Sequence, residues 1–185
     1  MTLTKTPICE YGKKAENFNL KSINKELISL ENIKGKNGTL IMFICNHCPY
    51  VKSIINDLVE DCKNLKSEGI NSVAIMSNDT KNYPEDSFDK MIEFAKKNQF
   101  GDLVYLIDET QEIAKKYGAV CTPDFFGYNR NLELHYRGRI RELRNLKPVN
   151  SGDSDLKLAM KIIAKTQKGP VEQFPSMGCN IKWIK

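Results

Sequence analysis

Apolar positions along the chain switch repeatedly between two periods. Residues 39 to 44, TLIMFI, form an unbroken apolar run, the pattern of a strand covered on both faces of a sheet. Directly after it, Val51, Ile54, Ile55, Leu58, Val59, Cys62 and Leu65 recur at helical spacing, and Gly69 predicts the stop. INSVAIMS (70–77) predicts a second strand, which runs into the polar loop NDTKNYPED. Phe88, Met91, Ile92, Phe94 and Ala95 mark the next helix, and LVYLID (103–108) a third strand. Asp108 with Gln111 three positions on predicts a capping box, opening a helix that Gly118 ends. DFFGY (124–128) and LELHY (132–136), either side of NRN, predict a β-hairpin. A last helix fills 154–167 before Gly169 and Pro170. The N-terminal 38 residues predict a strand-and-turn extension, and residues 169–185 an extended tail. Strands alternating with helices imply an α/β fold: a central mixed sheet flanked by helices, in one domain spanning 1–185.

Composition changes this picture little. A content of 41% hydrophobic and 28% charged residues is that of a globular protein. No run approaches the roughly 18 apolar residues of a membrane span, and the opening MTLTKTPICEYGKK lacks the apolar centre of a secretory signal. The expectation is therefore a cytosolic protein without a membrane partner. A net charge of +5 permits nucleic-acid contact but does not argue for it. Four arginines fall within RGRIRELR (137–144); the expectation is a solvated loop, with an edge for an acidic partner second. Nucleic acid comes third, since no aromatic residues interleave with the charge.

The six cysteines do change it. In a reducing compartment cysteines serve in catalysis, metal binding or the core more often than as structural bridges. Cys45 and Cys48 stand in FICNHCPYV (43–51), where the apolar strand meets the first helix. Pro49 is tolerated only in a first helical turn, so the helix must begin within Cys45 to Pro49 and both thiols sit at its start. There, unpaired amides and the helix dipole favour thiolate, drawing a cysteine pKa from about 8.5 toward roughly 3.5 to 7.5. His47 between them either stabilises the anion as imidazolium, making the disulfide more oxidising, or is a solvated loop residue. No second CxxC or HxxxH follows, which argues against a four-ligand structural zinc.

Strand, CxxC and helix, with CTPDFF (121–126) far downstream, resemble the thioredoxin fold. Together with YRGRI (136–140) and SMGCNIKW, they closely resemble its peroxiredoxin-like branch, the redoxin or AhpC/TSA-like group, across essentially the whole chain. The resemblance implies that Cys45 is the exposed attacking cysteine, Cys48 the buried resolving one and Pro123 a cis-proline. It also implies that the backbone of Thr122 pairs with an incoming substrate strand. Two departures stand out. The apolar run TLIMFI lacks the buried acid that thioredoxins carry there, so the proton acceptor for Cys48 is unassigned. Peroxiredoxins place their peroxide-attacking cysteine at the position of Cys48, with a threonine three residues earlier and an arginine before the hairpin. Here those positions hold Cys45 and the neighbourhood of Cys121.

The remaining cysteines divide. Cys62 lies on the apolar stripe and is expected in the core. Cys9 has no local partner. Cys121 is either a third redox thiol or a packing residue. Cys179 lies in a tail that Phe174, Ile181 and Trp183 could anchor; folded over the active site, it could resolve a disulfide or sulfenic acid at Cys45 or Cys48. His135 reads as a strand-face histidine. Copper-carrying relatives of the fold pair two cysteines with a distant histidine, so Cys45, Cys48 and His135 form an alternative Cu(I) set. The expectation is thus a thiol–disulfide oxidoreductase needing no cofactor, acting on a protein or small-molecule disulfide and recycled by a cellular dithiol. Thiol-dependent peroxidase and Cu(I)-binding module are the alternatives.

Overall fold

Alternation of side chains across a strand divides the TLIMFI run between two cores. In the computed structural model, which describes residues 2–185, the run lies in β4 (Gly38–Phe43), every residue of which is buried. Leu40, Met42 and Ile44 face one core, and Ile41 and Phe43 the other. β4 pairs in parallel with β5 (Ile70–Met76) and antiparallel with β8 (Asp124–Asn129), so no edge of it meets water. Burying an aliphatic side chain of this size contributes about 1.5–3 kcal/mol, which makes this strand the anchor of the sheet.

The remaining strands extend outward from β4. β6 (Val104–Ile107) joins β5 in parallel, and β2 (Asn19–Ser22) with β3 (Leu27–Ser29) closes that side as a hairpin. β9 (Leu134–Tyr136) closes the other, giving the order β3-β2-β6-β5-β4-β8-β9. The predicted hairpin at 124–136 is thus present, with a register shift at Gly127/Tyr128. The long helix α2 (Pro49–Ser67), α3 (Phe88–Lys97) and α5 (Asp155–Thr166) cover the Leu40–Met42 face. Short α1 (Leu30–Ile33) and α4 (Glu112–Tyr117) cover the other. Gly69, at φ +76°, lies just past the end of α2, a left-handed conformation that glycine adopts without cost.

A second sheet is built from the chain's two ends. β1 (Leu3–Lys5) pairs with β12 (Met177–Asn180), which pairs in turn with the two-residue β7 (Cys121–Thr122). The tail is therefore a strand, docked between the amino-terminal extension and the segment leading to Pro123. A small ribbon of β10 (Leu143–Arg144) and β11 (Lys147–Pro148) completes the strands.

Two sequence expectations fail. Gln111 does not form a capping box with Asp108: it adopts φ +62° ahead of α4 and its side-chain amide donates to the carbonyls of Ser77 and Lys182. Asp108 accepts instead from the amides of Ile113 and Ala114, deeper in the helix. Nor is RGRIRELR solvated throughout, although Glu142 and Arg144 are exposed. Arg137 is 4% exposed and paired with the fully buried Asp124, while Arg139 and Arg141 are tied to Asp155 and Asp57. The sequence gives the charges but not the acids that receive them, which come from distant segments.

Candidate active site

The Cys45–Cys48 segment begins where β4 leaves the sheet. Pro49 is the first residue of α2 and Cys48 its N-cap. Cys45 stands three residues earlier, in the approach loop, so only Cys48 is held at the helix start. Asn46 fixes this loop: its amide donates to Asp86 Oδ1 at 2.8 Å, its side chain donates to the Glu85 carbonyl, and it accepts from the Tyr105 hydroxyl at 2.9 Å.

Thr122 joins the two sulfurs. Cys45 Sγ lies 3.3 Å from its hydroxyl and Cys48 Sγ 3.1 Å from its carbonyl oxygen. The next peptide bond, Thr122–Pro123, is cis. Cys179 completes the cluster, with its Sγ 3.1 Å from Cys48 Sγ, because β12 sets Cys179 opposite Thr122. Both CxxC sulfurs are covered: Cys45 is 1% exposed and Cys48 0%. Cys45 is therefore not the exposed member of the pair that the resemblance implies.

The anion is favoured at one sulfur and disfavoured at its neighbours. Hydrogen bonding from Cys45, against the cost of burial, and then from Cys179 and the amides of Val51 and Cys179 lowers Cys48 to about 5. Cys45 is pushed well up, first by that same hydrogen bond to Cys48, then by burial and by the negative charge of Asp86. Burial, with the bond to Cys48, pushes Cys179 up to about 12. The shifts thus favour thiolate at Cys48 over its two neighbours. Cys121 is buried at the same corner, but its thiol faces the Pro123 carbonyl at 3.6 Å and burial holds it protonated. Cys62 is buried on α2 and Cys9 lies in the extension near Arg137, both raised by burial, to about 12 and about 11.

His47 is neither a solvated loop residue nor a direct neighbour of a carboxylate in sequence. Its ring stacks on Tyr83 at 5.8 Å and 7°, and Nδ1 lies 2.7 Å from Asp86 Oδ2. Facing a carboxylate, Nδ1 is the protonated nitrogen. The bond raises His47, and although burial works against it, His47 and Asn78 together hold Asp86 below the usual carboxylate range. Asp86 is a candidate site residue that the sequence pattern does not single out. TLIMFI holds no acid, but a 3₁₀ turn at Pro84–Asp86 delivers one from the loop after β5. The Pro-Glu-Asp run was the available signal, and nothing local tells which of its acids points inward.

Among the described residues, Cys45, His47 and Asp86 are the trio whose ligand-type atoms lie within 4.8 Å of one another. Asp86 already accepts from His47, Asn78 and the Asn46 amide, so the trio is a satisfied hydrogen-bond network. His135 stands outside it: its ring tilts against Tyr11 at 6.1 Å on β9. Below Pro123, a groove of about 250 Å³ opens between Tyr50, Ile54, Ile140 and the tail residues Phe174 to Met177.

The sequence matches the AhpC/TSA family over residues 11–143. The chain belongs to that family. It is also similar in structure to an uncharacterised conserved protein of Geobacillus kaustophilus, with 37% identity and a TM-score of 0.94 over 100% of this chain and 97% of that one. A hypothetical protein of Sinorhizobium meliloti matches with 36% identity and a TM-score of 0.88, covering 97% of each chain. More distant is the thioredoxin domain of a thiol-disulfide oxidoreductase from Bacteroides vulgatus, 14% identical with a TM-score of 0.58 over 73% of this chain and 89% of that one. No curated protein matches. The fold is thioredoxin-like, and membership of the AhpC/TSA family supports a redox enzyme. No helix among the described residues is long and apolar enough to cross a membrane.

Proposed function

We propose that this AhpC/TSA-family protein is a thiol–disulfide oxidoreductase whose working couple is Cys45 and Cys48. The observation that carries the proposal is the bracketing of Thr122 by both sulfurs, at 3.3 Å and 3.1 Å, directly before Pro123. The charge distribution supports an order of steps opposite to the one implied by resemblance to thioredoxins. Cys48 thiolate attacks one sulfur of a substrate disulfide, forming a mixed disulfide and releasing the other sulfur as thiolate. Cys45 then loses its proton and attacks Cys48 Sγ. This expels the second substrate thiolate and leaves the Cys45–Cys48 disulfide, which a cellular dithiol reduces. The groove beside Pro123 is where a substrate would rest while the tail stays paired with β7, and a reducing compartment such as the cytosol would supply the dithiol.

The test is to equilibrate the protein with thiol–disulfide buffers, trap it by acid and alkylation, and map linked peptides by mass spectrometry. A Cys45–Cys48 disulfide is expected within the physiological range of potentials. Its absence across that range sinks the proposal. Loss of disulfide turnover in Cys48→Ser is the matching kinetic result.

A second reading, thiol-dependent peroxidase, is favoured by the lowered pKa of the buried Cys48 thiol. The thiolate would take one oxygen from a peroxide to become sulfenic acid, releasing the alcohol or water. Cys45 would then condense with it, forming the disulfide and a second water. Peroxide consumption that depends on added thiol and vanishes in Cys48→Ser would establish this activity instead.

A further inference from the structure

The tail occupies the place a substrate strand would take. β12 pairs antiparallel with β7, with Cys179 opposite Thr122 and Asn180 opposite Cys121. It is held from both sides. Ser176 Oγ donates to the Pro123 carbonyl at 2.8 Å, Ser176 and Thr6 exchange hydrogen bonds, and the Lys182 amide donates to Asn78 Oδ1 at 2.9 Å. Gly178 makes this approach possible, since a Cβ there would lie 2.0 Å from the Thr122 carbonyl oxygen. The strand pairing and the missing side chain together bring Cys179 Sγ to 3.1 Å from Cys48 Sγ.

We propose that Cys179 is a second disulfide partner of Cys48, so that the site is a three-sulfur relay in which the disulfide passes from Cys45–Cys48 to Cys48–Cys179. The step rests on the redox cycle proposed above and needs no further oxidant. Cys179 gives up its proton and its sulfur attacks Cys48 Sγ; the Cys48–Cys179 bond forms, the Cys45–Cys48 bond breaks, and Cys45 leaves as thiolate and takes up the proton. Two sulfurs remain at the disulfide level and one as thiol before and after. The hydrogen bond that ties Cys48 to the Cys179 sulfur in the reduced protein is gone once Cys48 is oxidised, which frees Cys179 to react. The product ties the tail covalently across the edge of β7. A protein substrate could then reach that edge only after the relay runs back, whereas a small disulfide need not pair with the strand at all. The relay therefore favours small-molecule disulfides as the oxidising substrate.

The experiment uses the full-length protein in buffers of glutathione and glutathione disulfide, quenched in acid, alkylated, and mapped without reduction by mass spectrometry. Wild type should yield both the Cys45–Cys48 and the Cys48–Cys179 linked peptides, with alkylated Cys45 in the oxidised fraction. Cys45→Ala should keep the Cys48–Cys179 link. Cys179→Ala should lose it, and alkylation of Cys45 in its oxidised fraction should fall to background. A wild-type protein that forms Cys45–Cys48 at every potential tried but never Cys48–Cys179 overturns the relay and leaves the CxxC couple standing. If Cys48 enters no intramolecular disulfide, both proposals fall together.

Discussion

Cys45 and Cys48 are three residues apart, yet their thiols are displaced in opposite directions from the ordinary cysteine value. Position decides the sign: Cys48 is the N-cap of a helix with Cys179 and the Val51 amide close to its sulfur, whereas Cys45 stands in the loop before it, buried and facing the charge of Asp86. In reduced wild type, alkylation of Cys48 by a small reagent should titrate with a midpoint near 5, as should the ultraviolet absorbance of the thiolate. A midpoint at the ordinary value near 8.5 would contradict the assignment of the anion to Cys48. The His47–Asp86 pair makes a second prediction. His47 is raised, so its contribution to stability is complete below the unfolded imidazole value and is lost as pH rises through the folded one. Asp86 is lowered, so its contribution is complete above the unfolded carboxylate value and is lost as pH falls through the folded one. The pair should stabilise most between about pH 3.9 and 6.5. Asp86→Asn should lower the His47 pKa, seen by NMR titration of the ring, and flatten the stability profile over that window.

At the scale of elements, the segment from Gly118 to Asp124 owes its shape to one buried ion pair. Arg137 Nη2 donates to Asp124 Oδ2 at 3.0 Å and to the Gly118 carbonyl at 2.8 Å, its guanidinium lies over the Phe126 ring, and Asp124 accepts from the Val120 amide. Removing one partner of such a pair leaves an uncompensated buried charge, so Arg137→Met should cost about 3–5 kcal/mol in chemical denaturation. Asp124→Asn with Arg137→Met should recover part of that loss, because the orphaned charge is gone. Neither this clamp nor Asp86 is written locally in the sequence. β4, α2 and β5 were legible because their apolar spacing reports burial directly, and Pro49 reported where α2 begins. Asp108 and Gln111 carried the spacing of a capping box, but the carbonyls of Ser77 and Lys182 offered the Gln111 amide better partners, so α4 begins later. Arg137 and Asp86 read as surface residues for a related reason: what buries a charge is its partner, and both partners arrive from other elements.

Across the whole molecule, the two chain ends close the site that the middle of the chain builds. β1 and β7 flank β12, and the strand carries one side chain into each core: Cys179 beside Cys48, and Ile181, just past its end, into the cluster around Phe43 and Tyr117. This arrangement makes docking of the tail and closure of the CxxC a single event, because the sulfurs are covered in part by the strand that brings Cys179. Gly178→Ala should uncouple them. The added methyl cannot stand 2.0 Å from the Thr122 carbonyl oxygen, so β12 must withdraw from β7 while Ile181 still holds its far end in the core. The expected outcome is faster alkylation of Cys48 at pH 7, loss of the Cys48–Cys179 linked peptide and retention of Cys45–Cys48, with cooperative unfolding preserved. If the substituted protein instead alkylates at the wild-type rate and still links Cys48 to Cys179, the tail does not close the site. The protection of Cys48 would then have to come from α2 and the Asn46 loop alone.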